Sequence, residues 1–191
     1  KVREMLKEII GDEPEEKIAF ELTLDKSLLK GSLGNIYNNR IIFVSYSKKE
    51  NKYLLEAYIS YLAVIASGMD YELLFISAAR EEVFQAVRIP KAEALERLTS
   101  LMQLYKLGHD EIIAFFPDFD IVPGKVDGFD EFILAKAVKD FFENYRFPCT
   151  DRYLMNEFKN RFFQGPDIVS RYKSNALLLV KPLGEMFPGY Y

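Results

Sequence analysis

The chain has 191 residues, of which 49% are hydrophobic, 28% charged and 15% aromatic, and its net charge at pH 7 is −4. These proportions exclude a disordered or fibrous protein and are typical of a globular domain. No apolar run approaches the roughly 20 residues of a membrane-spanning helix. A negative chain does not coat nucleic acid uniformly, although a local basic patch is compatible with it.

The ends and the cysteine content of the chain bound its class further. It begins at Lys1 without a signal-peptide pattern, so we expect a single domain, residues 1–191, cut from a longer protein. Cys149 is the single cysteine, and no His or Asn context marks it as a nucleophile. We therefore interpret it as an inert, at least half-buried thiol.

The first third of the chain is predicted to contain a helix, a strand and a hairpin. Apolar residues at helical spacing from Val2 to Ile10 predict a helix that Gly11–Pro14 ends. Alternation from Ile18 to Leu24 predicts a strand. Two apolar runs then flank Asn38 and Asn39, which predicts a β-hairpin with its turn at this pair.

The middle third is predicted to contain two helices and two strands. A broad apolar face predicts a core helix from Asn51 to near Gly68. Tyr71–Ser77 and Val83–Ile89 are typical of strands joined by a charged turn. Pro90 is predicted to start a helix that runs through Leu107, with Gly108 as its C-terminal stop.

The last third gives weaker patterns. We expect a short strand or buried connection at 112–116, a loop at 118–128, helices at 129–145 and 152–163, a loop at 165–175, and a helix end or strand at 176–180. The order of elements predicts a single mixed α+β domain whose sheet is covered by helices.

The predicted hairpin has the outline of a nuclease metal site. In nucleases of the restriction-endonuclease-like superfamily such a hairpin reads Gly-x-x-Asp, a turn, then apolar-apolar-Asp/Glu-x-Lys. The two carboxylates hold Mg²⁺ and the lysine helps to orient the attacking water. Aligning Gly31 with the leading glycine places Gly34 at the first acid, Ser45 at the second acid and Ser47 at the lysine.

These three replacements remove the chemistry of the site. Hard divalent ions need carboxylate or other oxygen ligands, and they neutralise charge and generate the nucleophile. A glycine and two serines supply no negative charge, so we expect a scaffold without metal or catalytic residues. The alternative is a hairpin that has no relation to nucleases.

The order and spacing of several segments resemble the C-terminal domain of RecC, the gamma subunit of exodeoxyribonuclease V. The resemblance extends over residues 18–145 and is weaker to the end of the chain. Its segments are KGSLGNIYNNRIIFVSYS, LLEAYISYLAVIASG, YELLFIS, VFQAVRIPKAEALERLTSLMQLYKLGHDEIIAFFP and FILAKAVKDFFENY.

The resemblance implies a fold and a setting. The fold is restriction-endonuclease-like, of the PD-(D/E)xK type, with a mixed sheet flanked by helices and a degenerate active site. The domain is expected to be inactive by itself, to hold RecB-like and RecD-like subunits, and to help separate the strands of a duplex. It also implies DNA in the full complex, no cofactor, a cytoplasmic location and a role in recombinational repair of double-strand breaks.

Basic residues interleaved with aromatic residues lie near the C-terminus. Such a pattern can bind nucleic acid through phosphate contacts and stacking. The alternative is a solvated face over an aromatic core. The candidate DNA contacts are Arg146, Arg152, Lys159, Arg161, Arg171 and Lys173.

Other polar residues give less. The acids between Asp118 and Glu131 do not follow EF-hand spacing, because Val122 and Phe129 stand at the fifth and twelfth positions. His109, without ligand partners at suitable spacing, is interpreted as a surface or capping residue. Three further acids are interpreted as solvated residues and not as remnants of a metal site: Glu15, Glu16 and Glu21.

Two functions remain open from the sequence. The first is a non-catalytic subunit domain of a helicase–nuclease complex. The second is an active metal-dependent nuclease in which a catalytic residue has migrated, for instance to Glu50, Lys48 or Lys49.

Overall fold

A computed structural model describes residues 2–111, 113, 115 and 168–191. The chain divides into two compact units, one made of Lys1–Gln103 with Glu185–Tyr191 and the other of Leu104–Gly184. The elements in chain order are α1 Val2–Ile10, β1 Glu16–Leu24, β2 Ser27–Tyr37, β3 Arg40–Ser45, α2 Asn51–Ala66, β4 Glu72–Ser77, β5 Glu82–Gln85, α3 Lys91–Asp110, α4 Ile168–Leu179 and α5 Lys181–Met186.

The described strands form one mixed sheet in the order β1-β2-β3-β4-β5. Strands β3 and β4 are parallel, and the other neighbouring pairs are antiparallel. Because parallel neighbours cannot be joined by a tight turn, a crossover is required, and helix α2 supplies it. The α+β prediction is confirmed.

Two tight turns set the register of the first three strands. Asn38 and Asn39 both have positive φ, 48° and 63°, and they connect β2 to β3 where the sequence predicted the hairpin turn. Asp25 and Lys26 do the same between β1 and β2, with φ of 43° and 64°. Positive φ at both central residues is the conformation of a type I′ turn, whose twist matches that of the flanking strands.

Helix α2 is the central element of the first unit and packs against β1, β3 and β4. Its buried side chains include Leu54, Tyr58 and Leu62 on successive turns, as the apolar pattern predicted. The helix ends at Ala66, and Gly68, two residues further on, has a φ of +79°. The amides of Gly68 and Met69 donate to the carbonyls of Ile65 and Val64, a Schellman ending that satisfies carbonyls the helix leaves unpaired.

Within the first unit, an ion pair links the part of α3 up to Gln103 to Glu185. Arg97 in α3 lies 2.6 Å from a carboxylate oxygen of Glu93 and 2.6 Å from one of Glu185.

Tyr61 in α2 donates a hydrogen bond of 3.0 Å to the carbonyl of Tyr71, just before β4. Burial raises the pKa of Tyr61 above the ordinary value of tyrosine.

The C-terminal end of α3, in the second unit, differs from the prediction. Helix α3 continues through Gly108 to Asp110, so the prediction that Gly108 stops the helix is wrong. An added Cβ at Gly108 would lie 3.2 Å from Ile113, which indicates that the glycine makes room for a neighbour within the unit. His109 is in the last turn of α3, with its ring edge-on to Tyr105 at 4.8 Å between centroids.

Two further predictions need correction. The strand expected at Val83–Ile89 is only Glu82–Gln85, because beyond it the amide of Val87 donates to the carbonyl of Met186 at 2.7 Å. The loop expected at 165–175 is wrong from Ile168 onward, where α4 runs to Leu179. Ile168, Tyr172, Ala176 and Leu179 follow helical spacing, but the polar residues between them led to the prediction of a loop.

The predicted loop at 118–128, the helices at 129–145 and 152–163, and Cys149 lie outside the described residues.

Candidate functional site

Strands β3 and β4 are parallel, so their carboxyl ends lie side by side at one end of the sheet. We call this end the sheet edge at Ser45 and Ser77. Ser45 and Ser77 end these strands and are register partners in the parallel ladder. Both are buried, with 1% and 0% of their surface exposed. The edge outside the carboxyl ends of parallel strands is where open sheets with helical crossovers place their ligands, so this edge is the first place to look for chemistry.

Glu50 brings a buried carboxylate to this edge. It directly precedes α2, and its side chain makes no cap hydrogen bond to the helix. Instead its Oε2 accepts hydrogen bonds from the Ser77 hydroxyl at 2.8 Å and the Tyr190 hydroxyl at 2.9 Å. Glu50 is 4% exposed and is the only buried carboxylate in the described part of the chain. Its Oε1 has no hydrogen-bond partner among these residues.

Tyr190 belongs to a short stretch, residues 187–191, that we call the aromatic segment. The Tyr190 ring packs edge-on against Phe75 and Phe84, at 6.0 and 5.0 Å between centroids. The Arg80 guanidinium lies 3.9 Å from the centre of the same ring and donates to the Tyr190 carbonyl. Burial, followed by the hydrogen bond to Glu50, raises the pKa of the Tyr190 hydroxyl well above its usual range. The hydroxyl therefore stays protonated and donates to the carboxylate.

The loop between β3 and α2 is held by its own side chains. The Ser45 hydroxyl accepts from the amide of Ser47 at 3.3 Å, and the Ser47 hydroxyl accepts from the amide of Lys49 at 3.1 Å. Hydroxyl-to-amide bonds two residues apart are typical of serine turns. Ser45 and Ser47, aligned with the second acid and the lysine of a nuclease, thus shape the loop.

A second carboxylate lies beside Gly34, the residue aligned with the first acid. The amide of Asn35 donates to Glu15 Oε1 at 3.0 Å. A Cβ added at Gly34 would lie 2.7 Å from that same oxygen. Asn35 has a φ of 54° and lies where the β1–β2 register shifts, so a β-bulge turns its amide toward Glu15.

Glu15 therefore does more than the sequence reading assigned to it. Its side chain is exposed, as predicted, yet its carboxylate is fixed by a backbone amide next to Gly34. No motif marks this contact, because it depends on a bulge twenty residues further along the chain.

These positions do not fit a divalent cation. The β2–β3 ladder consists of the pairs Ile36–Ile41 and Tyr37–Arg40, so it ends before Gly34 and Ser45. Within the part of the chain that the structure describes, no group of three or more His, Cys, Asp or Glu side chains could hold a metal ion. The residues aligned with a nuclease site do not supply the carboxylates that Mg²⁺ requires.

The basic C-terminal set is described only in part. Arg146, Arg152, Lys159 and Arg161 lie outside the described residues. Arg171, in α4, pairs with Glu111 at 2.5 Å, within the second unit. Lys173, in the same helix, is half-buried. DNA contact by this set stays a prediction.

A scan of protein-family models matches residues 1–121 to the RecC C-terminal domain, which is more than half of the chain. The matched range includes the whole sheet, α2 and α3. No curated protein matches the chain. None of the described helices has the length and apolar character needed to cross a membrane.

Proposed function

The chain belongs to the RecC C-terminal domain family, as its sequence segments predicted, and from that premise we propose that it is a non-catalytic domain of a helicase–nuclease complex. Membership of the family implies involvement in the RecBCD complex, and so in DNA repair. In our proposal the domain provides interfaces to RecB-like and RecD-like subunits and contributes to duplex strand separation during break processing.

The non-catalytic assignment is supported chiefly by the hydrogen bonds that Glu50 accepts from Ser77 and Tyr190. Metal-dependent phosphodiester hydrolysis needs carboxylates that converge on a cation. At the edge where β3 and β4 end, Ser45 replaces the expected acid, and the Glu50 Oε2 accepts hydrogen bonds from Ser77 and Tyr190. Both of these hydrogen bonds tie Oε2 to the packed end of the sheet, which supports a structural role for this carboxylate.

The arrangement of the sheet supports a restriction-endonuclease-like scaffold. A hairpin with its turn at Asn38 and Asn39 is followed by helix α2 and a parallel strand, in a mixed sheet with helices. We infer that the nuclease architecture is kept for its shape after neutral residues replaced the metal ligands.

A cleavage and co-purification experiment tests this function. The purified chain is incubated with supercoiled plasmid in Mg²⁺ and, separately, in Mn²⁺, and we expect no cleavage above a buffer control. Co-expressed with a RecB-type subunit, the full-length protein that contains this chain is expected to co-purify with it. Metal-dependent cleavage that follows the chain through purification contradicts the proposal.

Restoring the ligands tests the scaffold separately. The variant Gly34→Asp, Ser45→Asp, Ser47→Lys carries the three residue types of the nuclease pattern, with Glu15→Ala added because Glu15 would collide with a side chain at Gly34. We expect it to bind Mn²⁺ in calorimetry, whereas the matched variant that retains Ser45 does not. A variant that keeps its circular dichroism spectrum but binds no Mn²⁺ contradicts a nuclease-like scaffold.

One observation favours the second function, an active nuclease with a migrated acid. Glu50 is buried at the edge where such an acid would lie, with one free oxygen in the described structure, and Lys48 and Lys49 are exposed on the adjoining loop. If this function holds, the chain cleaves plasmid and Glu50→Gln abolishes cleavage. Under the first function both proteins are inactive.

A further inference from the structure

The loop after β3 and the first turn of α2 present an unusual surface. We call residues Tyr46 to Tyr53 the Tyr46–Tyr53 segment. Tyr46 is 75% exposed, the highest value among the exposed large hydrophobic residues of the described chain. Three lysines of the segment, Lys48, Lys49 and Lys52, are also exposed. Exposure of a large aromatic ring forgoes the free energy of burial.

The charge of this segment opposes that of the chain. The whole chain has a net charge of −4, whereas the charged side chains exposed on the segment are those of three lysines. Its only acid, Glu50, is buried and faces Ser77 and Tyr190. One turn further along α2, Glu56 is exposed, so the run of exposed lysines does not continue along the helix.

The segment is held in place from inside. The Ser45 and Ser47 hydroxyls accept from the amides of Ser47 and Lys49, and the Glu50 carboxylate anchors the end of the loop to β4. At the helix start, the Lys52 ammonium lies 4.7 Å from the centre of the Tyr53 ring. An ordered loop loses little conformational entropy when it binds a ligand, which favours affinity.

We propose that the Tyr46–Tyr53 segment binds a single strand of nucleic acid, with a base stacked on Tyr46 and phosphates contacted by Lys48 and Lys49. The inference rests on the proposed function, because a domain of a strand-separating machine meets unwound strands. Exposed aromatic rings beside cationic groups are the recurring means of binding single strands, through stacking and phosphate contact.

An acidic polypeptide is the competing occupant, because tyrosine rings are also enriched at protein interfaces. Lysines attract any polyanion, whereas stacking on Tyr46 requires a flat partner such as an unpaired base. A duplex keeps its bases stacked on each other, so it can use the lysines of the segment but not the ring.

The test measures binding of a fluorescent 12-nucleotide dT strand to the full chain by anisotropy, in EDTA at low salt. We expect Tyr46→Ala to weaken binding about fivefold or more, with an unchanged dependence on salt, and Tyr46→Phe to restore it. Lys48→Ala with Lys49→Ala is expected to weaken binding and to reduce the slope of log affinity against log salt by about 1.4, for two lost phosphate contacts.

Matched controls keep the outcome interpretable. Tyr105→Ala removes another exposed tyrosine, and Lys7→Ala with Lys91→Ala removes two other exposed lysines; neither is expected to change binding. A duplex of the same length should bind Tyr46→Ala as well as the original chain.

Three results would overturn the inference: no binding of the dT strand, equal losses in the control variants, or full competition by poly-glutamate with no effect of Tyr46→Ala. The last result would assign the segment to an acidic protein partner. Because EDTA prevents metal-dependent cleavage, failure of this test is distinct from failure of the proposed function, which the plasmid assay in Mg²⁺ reports.

Discussion

Two carboxylates lie beside positions that the nuclease alignment left without acids, and their surroundings differ. Glu15, beside Gly34, is exposed and accepts one backbone hydrogen bond of 3.0 Å. Glu50, on the loop that begins at Ser45, is buried and accepts two hydroxyl hydrogen bonds of 2.8 and 2.9 Å. The hydrogen-bond distances are alike, so the difference between the two sites is solvation.

Solvation decides what each carboxylate contributes. If its hydrogen bond is lost, Glu15 can turn to water, so the net free energy at stake is small. The groups around Glu50 have no such replacement, because a buried hydroxyl without a partner carries its full desolvation penalty. We therefore expect the edge at Ser45 and Ser77 to be structurally sensitive and the bulge at Gly34 to be tolerant.

Removal of the Glu50 side chain is expected to have the largest effect. Glu50→Ala leaves the buried Ser77 and Tyr190 hydroxyls without their acceptor, and we expect the free energy of unfolding to fall by about 2 to 4 kcal/mol. Glu50→Gln keeps an acceptor oxygen and should lose about 1 kcal/mol. Urea denaturation measures both, with exposed Glu56→Ala as the charge-matched control. A loss in Glu50→Ala no larger than in Glu56→Ala would remove the contrast between the two sites.

The second expected effect is a dependence on alkaline pH. The pKa of Tyr190 is raised in the folded protein, chiefly by burial, whereas the unfolded chain releases this proton near pH 10. Above about pH 9 the folded state then holds this proton while the unfolded state releases it, so the contribution of Tyr190 to stability is constant below about pH 9 and falls as pH rises. Tyr190 should therefore account for part of the stability lost between pH 9 and 11.

Other buried tyrosines contribute to that loss, so the measurement is a difference. Urea denaturation at pH 9 and pH 11 is compared for the original chain and Tyr190→Phe, and the variant should lose less stability. An identical loss in both proteins would show that Tyr190 titrates no differently in the folded and unfolded states.

The third effect isolates the hydroxyl of Tyr190 at neutral pH. Tyr190→Phe keeps the ring against Phe75 and Phe84 and removes one hydrogen bond to Glu50, so we expect a loss of about 1 kcal/mol in urea denaturation. Tyr191→Phe, at the neighbouring exposed ring, is the matched control and should change stability less. If the double variant Tyr190→Phe with Glu50→Gln loses the full sum of the single losses, the two side chains are not coupled.

The smallest effect is expected at the exposed carboxylate. Glu15→Ala removes a solvated hydrogen bond to the Asn35 amide, and we expect a loss of about 0.5 kcal/mol or less. Glu16→Ala, at the next exposed acid, serves as its control. A loss of 2 kcal/mol or more at Glu15 would show that the bulge depends on this contact as strongly as the sheet edge depends on Glu50.

Local patterns predicted most of the sheet and its central helix. Asn38 and Asn39 favour the positive φ of the hairpin turn. The apolar face of α2 predicted the helix itself, and Gly68 predicted where it ends. In each case the deciding interactions lie within a few residues along the chain. The local pattern predicted a wrong helix end at Gly108, because this glycine makes room for Ile113 and does not end the helix.

The chemistry of the candidate site could be predicted only in part. The alignment identified Ser45 and Ser47 as neutral residues, and both shape the loop. The burial of Glu50 could not be predicted, because Lys49 and Asn51 beside it are polar and its partners lie 27 and 140 residues away. No sequence period reports contacts across such distances.

The contact between Glu50 and Tyr190 has a consequence for synthesis of the protein. A ribosome that has made the whole sheet has still not made Tyr190, so Phe75 and Phe84 lack their ring partner in the nascent chain. Contacts between distant residues form slowly, and partly made sheets with uncovered apolar groups are prone to aggregate. We therefore expect nascent chains that end before Met186 to bind chaperones for longer than nascent chains that include Tyr190.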